Sequence, residues 1–513
     1  MRPLTGQVQL LGLADVLEEH ARSRPAFVAS VGGSRRRTYG ELADDVQALA
    51  TVLWATGFRG GGRLLWLGQN SDRFLDCLLA VAGLGGVICP ANWRQSSNEL
   101  RALVDDLEPS IVVWDGDTGV TVVPELRRVA GPGVCWLELD GTFEQALVEG
   151  RGLAPVALGA DPTVPFLAVY SAAYDGVPKA VVLPQVALLV QSLVYGRALE
   201  VSDASSFLAS GPLFHLATLM MVLTTFHHGG SNVFCRRADA QEMCAMIDAE
   251  RCTHAFVVPP TLEAMRAANA DGSYDLTSLW AAPDLSDWTN PWCTPPEAPW
   301  ALRPGGYGQT EVSGMATFTG LGRPSAGNAG RPSPMASVRL VDPDGADVAG
   351  GEVGEILVRG PIVTTGYLRS DGLDRARVRD GWHRANDLGR REPDGSISFI
   401  GPKGALIKSA AENVYPVEVE SCLLEHPRVV EVCVIGRPDE AWGQRVTAVV
   451  VASPEGPPVS ERELVEHCQA RIASYKKPKD MVFVDALPRT PDGRVDRAEV
   501  DARFGGGGYP GLA

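Results

Sequence analysis

Between residues 63 and 114 the chain alternates short apolar runs with amphipathic ones. Arg63 to Leu67 reads as a buried strand, and Asn70 and Ser71 open a helix over Phe74 to Ala82. Gly85 to Pro90 is the next strand, Glu99 to Asp106 a helix, and Ile111 to Trp114 a strand. Strands separated by helices lie side by side through crossover connections, so this order predicts an α/β domain with a largely parallel sheet. Upstream, Leu11 to Ala21 has Leu13, Val16, Leu17 and Ala21 on one helical face. A second helix runs from Thr38 toward Trp54, with Thr38 as cap and Glu41 three residues on, as in a capping box.

The chain has 513 residues, long enough for two or three domains. Asp and Glu number 62 against 46 Lys and Arg, a net charge of −16, which argues against nucleic acid as a partner because phosphate binding needs a basic face. The most apolar run, Leu213 to Phe226, contains His215 and three threonines and is too short to cross a bilayer. The start does not read as a signal peptide, and the ten cysteines are scattered without a CxxC pair, so reduced thiols and a cytoplasmic location are expected. The adjacent His227 and His228 lack a suitably spaced third ligand and are not expected to hold a metal.

Val338 to Val341 and Glu355 to Val358 read as strands of a hairpin, with Ile397 to Ile400 a further strand. At Gly401–Ala405 the pattern changes to a compact α+β unit: helix Pro416 to Leu424, strands Val429 to Gly436 and Val446 to Val451, helix Ser460 to Ile472, and strand Met481 to Val484. The expected division is 1–400, a hinge at 401–405, a mobile C-terminal domain at 406–504 and a glycine-rich tail at 505–513. The fold class is therefore α/β: a large N-terminal domain of α/β subdomains plus a β-hairpin or barrel part, and a small mobile α+β domain. The Trp- and Pro-rich run Trp280 to Arg303 is expected to be irregular, a pocket wall.

Three stretches carry candidate chemistry. Gly306-Tyr307-Gly308-Gln309-Thr310-Glu311 combines glycines that allow close backbone approach, an aromatic face for a base, a hydroxyl, and a carboxylate suited to Mg²⁺. Val164 to Tyr170, a strand, leads into Ser171 to Lys179, a small-residue loop with the shape of a phosphate cradle but without the GxxxxGK[ST] pattern. His215 follows the apolar Pro212-Leu213-Phe214, where a packed core histidine is the plainer alternative.

Taken together, these runs resemble the AMP-forming adenylating superfamily of acyl-CoA synthetases, luciferases and adenylation domains. Tyr307 to Glu311 looks like its adenine- and Mg²⁺-binding motif. Gly354 to Pro361 with Gly366-Tyr367 is similar to a family strand, Gly381-Trp382-His383 with Asp387 to the ribose-binding segment, Glu412 to Pro416 with Glu418 and Glu420 to the start of the C-terminal domain, and Pro488 to Asp496 to the loop of the catalytic lysine. The run Ile472 to Lys479 resembles the fatty-acyl and aryl ligase branch.

The resemblance implies ATP, Mg²⁺ and coenzyme A as cofactors and co-substrates. A small-molecule acid is adenylated and its acyl group passed to coenzyme A or to an amine acceptor. It implies Glu311 as the metal ligand, Thr310, Glu311 and Arg494 as catalytic, and Gly306, Tyr307, Gly308, Gln309 and Asp387 on the nucleotide. Ser171, Gly176 and Lys179 are expected on the phosphates, and His215 at the acid pocket. There are departures. Arg494 stands at the lysine position, Ala172 to Asp175 replace hydroxyls and glycine, Ala385-Asn386 replaces the usual Thr-Gly, and Ala410-Ala411 replaces paired glycines. Arginine keeps the charge but not the point-like ammonium, and Lys403 and Lys408 are candidates for compensation. The other readings these departures leave open are an amide synthetase, an ATP-dependent diazotase using nitrite and an aryl amine, and a nucleotide- or acyl-binding protein that has lost catalysis.

Overall fold

The computed structural model describes residues 10–116, 122–171, 178–255, 257, 259–279, 306–319, 325–369, 372–409, 412–440, 442–490 and 494–508. The Trp-rich segment and Gly176 lie outside them.

The alternating region folds into an eight-stranded sheet. Its strand order is Gly372–Asp374, Gly366–Arg369, Lys179–Pro184, Pro165–Ser171, Val87–Pro90, Arg63–Leu67, Ile111–Trp114, Cys135–Glu138. The last five are parallel and the first three are added antiparallel. Helix Arg73–Leu84 is buried along its whole length, which is why its sequence is apolar all round rather than striped. Its expected caps act otherwise. Ser71 Oγ accepts from Arg73 N at 3.2 Å, whereas the Asn70 side-chain amide donates to Ala209, Gly211 and Cys235 carbonyls and accepts from Leu213 N. Asn70 thus ties this sheet to a second one, ordered His254–Ala255, Ser206–Ala209, Ser231–Phe234, Val28–Gly32, Arg35–Thr38. Helix Tyr39–Ala55 starts as expected, with Thr38 and Glu41 forming a capping box.

An antiparallel sheet follows, pairing Ser337–Val341 with Val353–Arg359, then Trp382–Arg391, which also pairs Ile397–Pro402. The C-terminal domain has its own sheet, in which Gly443–Ala452 pairs with Val429–Asp439, Ile407–Ser409 and Asp480–Phe483. Helices Pro416–Leu424 and Glu461–Gln469 pack on it around a separate core. Crossing between the two sheets takes place over residues 403–406, because Gly401 and Pro402 still belong to a strand opposite Leu388 and Asp387. Residues 505–508 are tied down: Gly506 N donates to Asp501 O, Gly507 N to Gly436 O, and Gly508 N to Asp501 Oδ2. Among the described residues no helix is long and apolar enough to cross a membrane.

Candidate active site

A cleft of about 450 Å³ lies where the antiparallel sheet, the C-terminal edge of the parallel strands and the C-terminal domain meet. Gly306 to Glu311 form one wall. Their glycines serve the chain's own backbone: a Cβ at Gly306 would sit 1.9 Å from the Thr317 carbonyl oxygen, and one at Gly308 1.9 Å from that of Gly314. The tight two-strand turn Gly308–Gln309 against Gly314–Met315 needs that space, and the four residues between, Thr310 to Ser313, turn through a short 3-10 helix.

Tyr307 is buried, with one ring face stacked on Phe399 at 5.6 Å between centroids. Its hydroxyl donates to Asp387 Oδ2 at 2.7 Å, and Gln309 Nε2 donates to the same oxygen at 2.6 Å. Burial raises the Asp387 carboxyl above its ordinary value, against these two donors. Burial also drives the Tyr307 phenol well up, with Asp387 beside it, so Tyr307 stays a donor. Gln309 is saturated: Nε2 also donates to Ala385 O, and Oε1 accepts from His383 Nε2 at 3.1 Å. Burial pushes His383 down to about 4. Its Nδ1 has no hydrogen-bond partner among the described residues, which fits a neutral ring protonated on Nε2. Asn386 has φ 60°. The left-handed region that glycine fills easily is also open to asparagine, so the sequence departure at 385–386 keeps the backbone path to Asp387.

Glu311 is 7% exposed. Its Oε1 accepts from the Tyr367 hydroxyl at 3.0 Å, and Arg377 lies 3.9 Å away. One carboxylate beside the Thr310 hydroxyl suits a Mg²⁺ that takes its remaining ligands from water and substrate phosphates. Among the described residues no group of three or more His, Cys, Asp or Glu could hold a metal by itself.

Ser171 and Pro178 line the cleft on either side of the cradle loop. Lys179 begins the next strand, with Nζ 5.9 Å from the centre of the Tyr367 ring, outside the cleft wall. Arg494 is exposed and also outside the wall, in a turn where Thr490 N donates to its carbonyl. Of the two compensating lysines, Lys408 lines the cleft, while Lys403 pairs with Glu355 at 3.0 Å.

His215 lines the cleft at the N-cap position of helix Leu216–His227, without a side-chain capping bond. It faces the C-terminal domain, with Nε2 3.4 Å from Glu412 Oε1. Arg94 donates to the same oxygen at 2.6 Å. Burial alone would raise Glu412; His215 and Arg94 outweigh it and hold the carboxyl below its ordinary range. A second cross-domain contact went unassigned in the sequence. Lys476, 3% exposed, reaches Glu418 within its own domain at 2.5 Å and Glu99 at 2.7 Å. The other Glu99 oxygen accepts from Ser96 in the cap of helix Ser97–Leu107. Burial alone would lower the Lys476 ammonium; Glu418, Tyr475 and Glu99 raise it. Lys476 lies in the run Ile472 to Lys479 already singled out in the sequence, but neither it nor Arg377 is assigned a role there, and only the fold brings them to the cleft.

The profile described as AMP-binding enzyme matches residues 17–368, and that of the AMP-binding enzyme C-terminal domain matches residues 418–494. The chain belongs to the AMP-binding enzyme family. It is 34% identical over 506 residues to the indoleacetate–CoA ligase of Aromatoleum aromaticum, covering 95% of this chain and 97% of that protein. Over 512 residues it is 32% identical to the feruloyl-CoA synthase of an Amycolatopsis species, covering 96% and 99%. Among solved structures, a Mycobacterium tuberculosis fatty acyl CoA synthetase aligns with a TM-score of 0.66 at 27% identity, covering 96% and 98%. An amide bond synthetase from Marinactinospora thermotolerans aligns at 0.79 and 22%, covering 96% and 100%, a likeness of fold. The protein is an AMP-forming acid ligase of the acyl-CoA synthetase type. Enzymes of this class use an acid, ATP and coenzyme A.

Proposed function

We propose that the chain activates an aromatic carboxylic acid as its acyl-adenylate and transfers the acyl group to coenzyme A in the cytoplasm. The observation that carries the nucleotide part is the convergence of Tyr307, Gln309 and Asp387 at one carboxylate oxygen beside Glu311. Asp387 is the acceptor for the ribose hydroxyls. The free edge of Tyr307 and the Gly306–Gly308 backbone bound the adenine. Glu311 and Thr310 would hold Mg²⁺, which would supply charge neutralisation on the phosphates. Ser171, at the cleft, and Gly176 would contact those phosphates, as would Lys179 once its ammonium turns from the Tyr367 ring into the cleft. The acid enters past His215. The full-length relatives named for indoleacetate and ferulate support the aromatic class.

The chemistry asks for positioning and charge more than for covalent help. The acid carboxylate attacks the α-phosphorus, pyrophosphate leaves, and the thiol of coenzyme A then displaces AMP from the acyl carbon. Arg494 stabilises the first step. Since it stands outside the cleft here, that step takes place in a second placement of the C-terminal domain, reached by rotation at the crossing between 1–400 and 406–504. The placement described here, with Lys408, Glu412 and Lys476 lining the cleft, belongs to thiol transfer.

The test is pyrophosphate release over a panel of aryl, arylalkyl and fatty acids, nitrite included, with ATP, Mg²⁺ and coenzyme A. Release with aryl acids and a matching thioester supports the reading. Release only with an amine acceptor, or only with long-chain acids, overturns the acceptor or the substrate class respectively.

A further inference from the structure

The protein carries a net charge of −16, so a polyphosphate entering the cleft needs cations placed locally. In the cradle loop Ala172 and Ala173 carry no side-chain donors and Asp175 is negative, and Arg494 stands outside the cleft wall. Among the described residues three Lys or Arg side chains line the cleft: Arg377, Lys408 and Lys476. Lys476 is held between Glu418 and Glu99 at 2.5 and 2.7 Å. Lys408 acts on the Asp387 carboxylate, read as the ribose acceptor. Arg377 is the one beside Glu311.

The fold holds Arg377 in register with the other nucleotide residues. Its carbonyl accepts from Arg384 N at 2.9 Å, and Val378–Arg379 pairs with the start of strand Trp382–Arg391. That strand also delivers Asp387. Arg377 Nη1 donates to the Tyr367 hydroxyl at 3.3 Å, and this hydroxyl donates to Glu311 Oε1 at 3.0 Å. Lys179 Nζ lies 5.9 Å from the centre of the same Tyr367 ring. Two cations from segments nearly 200 positions apart thus meet at Tyr367, next to Glu311.

A plain ion pair with Glu311 would be the simpler role for Arg377. However, Nη1 is 3.9 Å from Glu311 Oε1, beyond hydrogen-bond reach. Where this sheet does neutralise a carboxylate, the contact is closer, as for Arg384 on Glu355 at 2.5 Å. The Arg377 side chain is 25% exposed, so a ligand in the cleft can reach it.

We propose that Arg377 is a phosphate-binding residue, whose guanidinium takes the β- and γ-phosphates of ATP beside the Glu311 and Thr310 pair. A planar guanidinium matches two phosphate oxygens at once. It shares with a divalent cation the neutralisation of a triphosphate, a division of labour common in phosphate chemistry. The role supplies charge that the cradle loop lacks. The inference rests on the nucleotide reading of this cleft and not on which acid is activated.

The test titrates ATP and AMP, each with Mg²⁺, into the whole protein by calorimetry. AMP keeps the base, ribose and α-phosphate but has no β- or γ-phosphate. Wild type should bind both. Arg377→Met should weaken ATP by about tenfold or more, the scale of hydrogen bonds to a charged group, and AMP by less than about twofold. Arg377→Lys keeps the charge without the fork and should fall between wild type and Arg377→Met for ATP. Phenylglyoxal labelling of wild type, mapped by peptide, needs no variant to fold: pyrophosphate should protect Arg377 and AMP should not. An equal loss for ATP and AMP in Arg377→Met would make the residue a support for Glu311 and overturn the proposal. Unchanged ATP affinity, or no protection by pyrophosphate, would also overturn it while leaving the nucleotide reading in place. Wild type that binds neither nucleotide would remove that reading, and the proposal with it.

Discussion

The Tyr307 hydroxyl donates to Asp387 Oδ2 at 2.7 Å, joining two segments 80 residues apart at the floor of the cleft. If Asp387 accepts the ribose hydroxyls it must be ionised, and burial raises its pKa. ATP use should therefore fail as pH falls through that raised value. Tyr307→Phe removes a donor that favours the charged form, so it should move the acid limb of kcat/KM for ATP to higher pH. It should also raise KM for ATP by about tenfold, the scale of one hydrogen bond to a charged group. A pH profile of both proteins checks the direction.

Asp387→Asn separates function from stability. The amide oxygen can still accept from Tyr307 and Gln309, and the cost of burying a charge disappears. The variant should lose ATP-dependent activity by at least about tenfold, while its Tm stays equal or rises. Paired calorimetry and kinetics would show it.

Lys476 neutralises two carboxylates, Glu418 and Glu99, in a place almost closed to water. Lys476→Met leaves both uncompensated and should cost about 3–5 kcal/mol, the usual scale for breaking a buried ion pair. Adding Glu418→Gln should recover part of that loss. Urea denaturation of the three proteins measures it; an unchanged midpoint for Lys476→Met would show that the contact is not held in solution.

Glu412 is held below its ordinary carboxylate range by His215 and Arg94, despite burial. A carboxyl depressed in the folded state contributes stability above its unfolded pKa and loses it as pH falls through the folded value. The contact between domains should thus be intact at neutral pH and loosen progressively as pH falls below the ordinary Glu value of about 4.3. Glu412→Gln should be loose at neutral pH already. Hydrogen exchange of residues 407–415, corrected for the intrinsic pH dependence, reports both.

The alternation at 63–114 carried the parallel sheet because strand and helix periods are local. Pro416–Leu424 was legible to the residue, since Pro and the flanking polar positions mark its start. Asn70 shows where local reading stops: as a residue before a helix it reads as a cap, and its true partners are 139 to 165 positions away. The same holds at the site. Tyr307 to Glu311 and Asp387 stand in motifs, but the donor set converging on Asp387, the saturation of Gln309 by His383, and the reach of Lys476 to Glu99 arise only when distant strands and domains pack. Arg494 stands outside the cleft, a position that no local pattern encodes.

The most direct test of the central claim is an oxygen-isotope transfer. The enzyme would turn over an aromatic acid carrying ¹⁸O in its carboxylate, with ATP, Mg²⁺ and coenzyme A, and the AMP would be weighed by mass spectrometry. Attack of the carboxylate on the α-phosphorus, followed by thiol displacement at the acyl carbon, predicts AMP carrying one ¹⁸O per molecule and a thioester that retains the other. Thioester formation with unlabelled AMP, or with the label in phosphate or pyrophosphate, would contradict the acyl-adenylate account.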